Sequence, residues 1–300
     1  MTPRTSIAEF RDLVTASHRI LALCGAGLSA ASGLPTFRGA GGLWRNHEPT
    51  ALATPGAFAA DPALVWLFYA WRKHMALRAR PNRGHRALAE LAKRKDGFLC
   101  LTQNVDGLSQ RAGHPASQLR LLHGSILDVR CADASCGYVR RDDLSDPPCA
   151  ALASAASEDD YPADQTLPRL LDPAVPAPAI DVRDLPHCPR CVSGLLRPGV
   201  VWFGEALDAT MLMGVENWLM TGSGGGGGGT VDLMLVVGTA AAVYPAAGYT
   251  RKARRRGAVV AVVNPDPDAA EGLSGADFFF QGSADEILPL LFEGVIGALD

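Results

Sequence analysis

Short apolar runs recur along this chain, and each one ends in small or polar residues. These runs occupy positions 20–24, 98–101, 233–237, 259–263 and 278–280. Stretches with helical spacing of apolar residues lie between them, for example at 85–95 and 245–256. Continuous apolar runs are typical of strands buried on both faces, and their alternation with helices predicts an α/β protein with a Rossmann-like, doubly wound parallel sheet. Ligands of such sheets bind outside the carboxyl ends of the strands.

Two stretches interrupt this alternation. One contains a long helix opened by Asp61 and Pro62, with Leu64, Leu67, Phe68, Trp71 and Met75 at helical spacing, and the other contains two cysteine pairs. We therefore predict a Rossmann-like domain at 1–44, 85–127 and 195–300, and a smaller helical and cysteine-containing domain at 45–84 and 128–194. Within these, we expect a mobile excursion at 150–182 and a tether at 224–229, the latter made of six glycines.

A glycine-rich turn follows the first apolar run. Gly25, Gly27 and Ala30 have the spacing of a dinucleotide-binding turn, in which small residues let a pyrophosphate approach the backbone. The match is incomplete, because no second strand ending in a ribose-binding acid follows about 20 residues later. Taken alone, the turn could be an ordinary strand-to-helix connection.

Polar side chains follow the second apolar run at the same predicted edge. Gln103, Asn104 and Asp106 could be ordinary turn residues, but three amide or carboxylate groups at a ligand edge favour recognition of a carboxamide and a ribose. His123 follows another apolar pair. A single histidine is more often structural than catalytic, and this one gains weight only from the residues around it.

The two cysteine pairs predict a structural metal site. Cys131 and Cys136, with Cys188 and Cys191, have the paired spacing of a tetrahedral four-cysteine zinc site, whose closed ligand shell leaves no catalytic position. Disulfides or free thiols are the alternative.

Composition narrows the function classes. The chain has 300 residues, 48% hydrophobic content and a formal net charge of -3, so it can build a sizeable core and carries no basic field for nucleic acid. It contains neither an apolar run of membrane-spanning length nor a clear targeting segment, so we expect an intracellular protein, cytoplasmic or mitochondrial. We expect a monomer without direct nucleic-acid or membrane partners.

Taken together, these motifs resemble the sirtuin family of NAD-dependent protein lysine deacylases over about residues 17 to 292. The resemblance rests on the glycine turn, the 102–106 and 123–124 segments, the 198–205 segment and Gly238 with Thr239. It implies NAD as co-substrate, structural zinc, acylated-lysine proteins or peptides as substrates, and nicotinamide with O-acyl-ADP-ribose as products. The residues that it assigns to the NAD site are Gly25, Ala26, Gly27, Ser29, Phe37, Arg38, Gln103, Asn104, Asp106, Gly238, Thr239 and Asn264.

The resemblance also implies how the site would act. Asn104 and Asp106 would grip and twist the carboxamide of the nicotinamide, Phe37 would shield the exposed ribose carbon, and His123 would be the general base on a ribose hydroxyl. The substrate peptide would pair as an added strand with the segment that contains Val201, Trp202 and Phe203.

A further pair of residues resembles the desuccinylase-type branch of the family. Tyr69 and Arg72 stand three residues apart on one helix face, and that branch uses such a pair in its acyl pocket. An arginine can hold a carboxylate through two parallel hydrogen bonds, so we predict removal of succinyl, malonyl or glutaryl groups. Pro49 stands where the branch has alanine, and Ala240 and Ala284 also depart from the family pattern.

Alternative functions remain open. A sirtuin-type deacetylase or ADP-ribosyltransferase would have no acidic acyl preference, and a weakly active NAD- or peptide-binding sensor would have little turnover. A zinc-ribbon adaptor fits less well, because the cysteine region is a small part of the chain.

Overall fold

A six-stranded parallel sheet forms the larger part of the molecule. The computed structural model describes residues 2–36, 43–156, 170–221, 229–239, 246 and 248–299. In this described part, the strands are β1 (Ile20–Cys24), β2 (Phe98–Thr102), β3 (Leu119–Leu121), β4 (Gly124–Cys131), β5 (Val139–Arg140), β6 (Leu196–Val200), β7 (Leu233–Val237), β8 (Val259–Asn264) and β9 (Phe278–Gln281). The α-helices found within the described residues are α1 (Ile7–Ala16), α2 (Pro49–Leu52), α3 (Pro55–Ala60), α4 (Pro62–Arg78), α5 (Arg83–Arg94), α6 (Leu108–Arg111), α7 (Ala209–Met220), α8 (Gly248–Arg254) and α9 (Ala284–Ile296).

The sheet has the strand order β3-β2-β1-β7-β8-β9, with every neighbouring pair parallel. The chain winds outward from β1 in one direction and then returns to start again at β7. The predicted Rossmann-like sheet is therefore confirmed, and the point where the strand order reverses lies between β1 and β7. The sequence pattern missed the edge strand β3, which is only three residues long.

Alternate residues of β1 face opposite sides of the sheet, and all five are completely buried. Ile20, Ala22 and Cys24 pack with α1, α5 and α9, while Leu21 and Leu23 pack with α7 and α8. Burial on both faces explains why this strand is apolar at every position. The helices therefore hold the carboxyl end of β1 in a fixed place.

A smaller module, made of α2–α4, the antiparallel sheet β5-β4-β6 and the described segments between them, has its own core. Asp61 caps α4 as predicted, its side chain accepting a hydrogen bond from the Leu64 backbone at 2.9 Å. The helix is not amphipathic, however, because residues on most of its faces are buried, including Val65, Trp66 and Tyr69. It is the central helix of the module, packed against β4, β6 and the 3-10 helix at Ala150–Ala156.

The two parts meet along α4 and the strands of the small sheet. Arg111, in α6, donates through its two terminal nitrogens to the carbonyls of Ala76 and Ala79 at 2.8 and 2.7 Å, and so fixes the end of α4 to the loop after β2. Because β4 and β6 belong to the small sheet, the domain boundaries predicted at 127 and 195 fall within or beside these strands, and the domain division stays a prediction. None of the helices within the described residues is both long and apolar enough to cross a bilayer.

Candidate active site

The turns after β1 and β7 touch each other at the point where the strand order reverses. The Gly27 backbone N–H donates to the Gly238 carbonyl at 2.9 Å, and a Cβ on Gly27 would lie 2.7 Å from the Gly238 Cα. Gly238 has a φ of 58°, which favours glycine. The close contact between these two turns is thus a reason for both glycines that the sequence did not reveal. The segment after Gly25 forms two short 3-10 helices instead of one long α-helix.

Neighbouring polar side chains tie these turns to β2 and β8. The Gln103 side-chain nitrogen donates to the Thr239 hydroxyl at 3.1 Å, and the Asn264 side-chain nitrogen donates to the Thr239 carbonyl at 3.4 Å. The structure therefore brings together the predicted NAD-site residues from four different strands. Phe37 and Arg38, which were also predicted to belong to this site, lie outside the described residues.

Asn104, Asp106 and Ser29 form one hydrogen-bonded group. The Ser29 hydroxyl donates to an Asp106 carboxylate oxygen at 2.6 Å, and the Asn104 side-chain nitrogen donates to the Gly25 carbonyl and to Ser29 at 3.0 and 3.1 Å. The other Asp106 oxygen accepts from the Leu108 backbone at 2.9 Å. These hydrogen bonds hold the side chains of Asn104 and Asp106 in one orientation.

His123 is positioned as a neutral base. Its Nδ1 lies 3.1 Å from the Gln103 carbonyl oxygen, which can only accept, so Nδ1 carries the proton and Nε2 has a free lone pair. Burial lowers the pKa of His123, and the carbonyl contact opposes this only in part. The ring is therefore neutral near pH 7 and able to take up a proton at Nε2.

A cavity of about 460 Å³, hereafter the central cavity, lies between the sheet edge and the smaller module. Its volume falls within the range of small-molecule sites. Of the predicted site residues, its lining includes Ala26, Ser29, Tyr69, Arg72, Gln103, Asn104, Asp106, His123, Val201, Trp202 and Phe203. Gly25, Gly27, Gly238, Thr239 and Asn264 adjoin the cavity through the turn contacts described above, and Pro49 is buried at the start of α2.

Tyr69 and Arg72 line this cavity from α4. Tyr69 is 2% exposed, and burial raises the pKa of its phenol, so the hydroxyl keeps its proton at neutral pH. Burial lowers the pKa of the Arg72 guanidinium, while interactions with Tyr69 and with the charge of Asp106 oppose that shift. Tyr69 and Arg72 thus place hydrogen-bond donors on the module side of the cavity, and Asp106 places a carboxylate on the sheet side.

The segment expected to pair with a peptide has its N–H groups already engaged. Val201 donates to the His123 carbonyl at 2.9 Å, Trp202 to the Glu205 carboxylate at 2.8 Å, and Phe203 to the Ala53 carbonyl at 2.9 Å. An added strand would have to use the carbonyls of this segment or displace these bonds. Peptide pairing at this position stays a prediction.

The four paired cysteines form a cluster at one end of the smaller module. The sulfur atoms of Cys131, Cys136, Cys188 and Cys191 all lie within 4.8 Å of one another, with two Sγ···Sγ distances of 3.7 Å. Tetrahedral zinc with bonds of about 2.3 Å requires sulfur separations of roughly 3.8 Å, so the donor set fits this ion. All seven cysteines are unbridged, which removes the disulfide alternative.

Two buried residues near the cavity escaped the sequence analysis. His85, in α5, is 1% exposed and lies 3.4 Å from the Ser29 hydroxyl. Arg197, in β6, is 6% exposed and binds Glu205 at 2.5 and 3.0 Å. The signal for Arg197 was present as a charged residue within an apolar strand, with an acid eight positions later.

Comparisons with known proteins give the family. The model of the Sir2 family matches residues 25–245. A Candida albicans protein named NAD-dependent protein deacylase is 40% identical over 97% of this chain and 98% of its own length. The dog protein NAD-dependent protein deacylase sirtuin-5, mitochondrial, is 39% identical over 96% of this chain and 85% of its own. A crystal structure of a Sir2 homologue–NAD complex superposes with a TM-score of 0.73 at 33% identity, covering 98% of this chain and 95% of that one. The resemblance found in the sequence is thus confirmed, and the chain belongs to the Sir2 family.

Proposed function

We propose that this chain is an NAD-dependent protein lysine deacylase that prefers acidic acyl groups, namely succinyl, malonyl or glutaryl. The observation that carries the proposal is that Tyr69 and Arg72 line the same cavity as His123 and Asp106. Its relatives named NAD-dependent protein deacylases, sirtuin-5 among them, support the same reaction class.

The residues present fit NAD. The turns after β1 and β7 meet without side chains where the strand order reverses, and in doubly wound sheets this is where nucleotides bind. Beside them, Asn104 and Asp106 offer acceptors and Gln103 offers an amide. When bound, NAD supplies an activated ribose carbon that accepts the acyl oxygen and releases nicotinamide.

Different side chains of the protein would have different roles in the reaction. Asp106 and Asn104, held by Ser29, line the cavity and would orient the carboxamide. His123, fixed by the Gln103 carbonyl, would accept a hydroxyl proton at Nε2. The module closes the other side of the cavity, where the acyl chain would lie.

The acyl preference follows from the chemistry of that side. Arg72 is a donor-only cation, and Tyr69 keeps its proton because burial raises its pKa. A carboxylate at the end of the acyl chain is an acceptor-only anion, so it matches both groups. An acetyl group ends in a methyl and would leave these donors without a substrate partner.

The deciding experiment measures kcat/KM for one peptide that carries acetyl-, succinyl- or glutaryl-lysine, with wild type and Arg72→Met. Charge-assisted hydrogen bonds contribute about 1.5–3 kcal/mol, so the variant should lose about 10- to 100-fold on the acidic substrates with little change on acetyl-lysine. Arg78→Met is the matched control, because Arg78 is an exposed arginine of the same helix and does not line the cavity. Acetyl removal that equals succinyl removal, with no effect of Arg72→Met, would leave a generic deacylase and overturn the acyl preference.

A further inference from the structure

The Trp202 indole lies directly against the Tyr69 hydroxyl. Trp202 is 3% exposed, and its Nε1–H donates to the Tyr69 oxygen at 3.0 Å. An indole N–H can only donate, so the Tyr69 oxygen must be the acceptor in this bond. The Tyr69 oxygen therefore directs a lone pair toward Trp202, and its O–H proton points elsewhere.

Arg72 lies beside the same tyrosine. Its guanidinium carbon lies 5.4 Å from the tyrosine ring centroid, and a guanidinium is donor-only, so any hydrogen bond that Arg72 makes with the phenol is donated to that oxygen. A phenol has one proton and can accept two hydrogen bonds. Since Trp202 donates to this oxygen and Arg72 can only donate to it, the O–H of Tyr69 is left to donate to a third group in the central cavity.

The indole itself is clamped. The Arg197 guanidinium carbon lies 3.3 Å from the Trp202 ring centroid, which places the cation over the ring face. Glu205 binds both terminal nitrogens of Arg197, at 2.5 and 3.0 Å, and accepts from the Trp202 backbone N–H at 2.8 Å. The Val200 carbonyl takes another Arg197 hydrogen bond at 2.9 Å. These contacts fix the indole ring and the backbone of Trp202, and they therefore fix the direction in which its Nε1–H points.

We propose that Trp202, held by Arg197 and Glu205, is a specificity-determining positioning residue that makes the Tyr69 hydroxyl a hydrogen-bond donor toward an acidic acyl chain. The inference rests on the proposed function, because it concerns how the acyl group is chosen. Without the indole N–H, the phenol is free to rotate and to accept from Arg72 and from water in several orientations. In that case the Tyr69 hydroxyl must be ordered when the substrate binds, which weakens binding. In the wild type the hydroxyl is already ordered by Trp202.

The test is a double-mutant cycle on acyl selectivity. The ratio of kcat/KM for succinyl-lysine to kcat/KM for acetyl-lysine is measured in wild type, Trp202→Phe, Tyr69→Phe and the double variant. We expect each single variant to lower this ratio about 3- to 10-fold, mainly through the KM for the succinyl peptide. The double variant should have the same ratio as Tyr69→Phe, because Trp202 acts only through the tyrosine hydroxyl.

Trp66→Phe is the matched control. Trp66 is a 2% exposed tryptophan of the same helix as Tyr69, and its Nε1–H donates to the Leu196 carbonyl at 2.8 Å. Its loss should lower thermal stability as much as Trp202→Phe does, without changing the selectivity ratio. A ratio that falls equally in both tryptophan variants would identify a packing effect and overturn the proposal.

Other outcomes are equally decisive. An unchanged ratio in Trp202→Phe, or multiplicative effects in the double variant, overturns the positioning role while the acyl preference itself stands on Arg72→Met. A wild type without acidic preference overturns both proposals. If Trp202→Phe does not fold, Arg197→Lys, which loses the planar stack on the indole, should lower the ratio in the same direction.

Discussion

The parallel sheet and the smaller module differ in the interactions that stabilise them and in the side chains that they contribute to the central cavity. The sheet is built on strands such as β1, in which every residue is fully buried between two layers of helices. The interior of the smaller module also holds charged side chains: Lys73 lies 3.5 Å from Asp143, with both side chains under 5% exposed, and Arg197 lies under Trp202. Apolar burial is stable in itself, whereas buried charges and clustered thiols depend on their partners. The stability of the smaller module, which would choose the substrate, therefore depends more strongly on specific partner groups than the stability of the sheet does.

The largest expected effect comes from breaking the cysteine cluster. Cys136→Ser removes one of the four sulfur ligands, and structural zinc contributes on the order of 10 kcal/mol to the folding of small zinc domains. We expect loss of bound zinc, faster proteolysis within 128–194 and loss of nearly all deacylation, while most of the helical circular dichroism is kept by the sheet region. Zinc content and limited proteolysis measure this.

Cys149→Ser provides the control for that experiment. Cys149 lies in the same module, with its sulfur 3.4 Å from the Asp184 carbonyl and outside the cluster. Its substitution should leave zinc content and proteolysis unchanged. Zinc retained at full stoichiometry in Cys136→Ser would contradict the assignment of the four ligands.

The next effect is expected on the sheet side of the cavity. His123→Gln removes the proposed general base and should lower kcat/KM by about 100- to 10,000-fold for acetyl- and succinyl-lysine alike. This is the opposite of Arg72→Met, which should discriminate between them. Because burial lowers the pKa of His123, wild-type kcat/KM should stay on its plateau as pH falls to about 6.5, the ordinary histidine value, and decline only below it. A decline that begins above pH 7 would contradict a neutral, buried base.

A smaller effect tests whether the sheet region is insensitive to pH. Burial lowers the pKa of His85 to about 4, from an ordinary value near 6.5, so the unfolded chain takes up this proton first as pH falls. The contribution of His85 to stability is complete above pH 6.5 and should decrease by up to about 3 kcal/mol on going to pH 4. Urea unfolding at several pH values should show a shallower decrease in His85→Gln. The exposed His18, substituted in the same way, serves as control, and equal slopes in all three proteins would refute the assignment.

The two regions also differ in how far sequence predicts them. Five of the six strands of the sheet contain continuous apolar runs, and four of these are followed by the glycines, amides and carboxylate of the site, so the local pattern identified both. The module strand β4 could not be identified in this way, because it mixes buried apolar residues with charged ones such as Arg130, whose partner Glu205 is 75 positions away. The spacing of apolar residues predicted the helix α4, but it gave no sign that Lys73 would be buried against Asp143.

The site was predicted by residue type and not by mutual contact. His123, Asn104, Asp106, Tyr69 and Arg72 were each named from the sequence, and all line one cavity. Their orientation was not predictable, because it depends on hydrogen bonds between residues far apart in the chain. The Trp202 contact with Tyr69 spans 133 positions, and no local pattern encodes such a pair.

The contact between Gly27 and Gly238 has a consequence for protein engineering. Either turn, transplanted alone from a distant homologue with a bulkier residue at this point, would collide with the backbone of the other, since the Cβ position on each glycine lies 2.7 Å or less from its counterpart. Neither clash involves a flexible side chain that could move aside. Attempts to change the nucleotide preference of this scaffold should therefore exchange both turns, with their backbones, as a matched set.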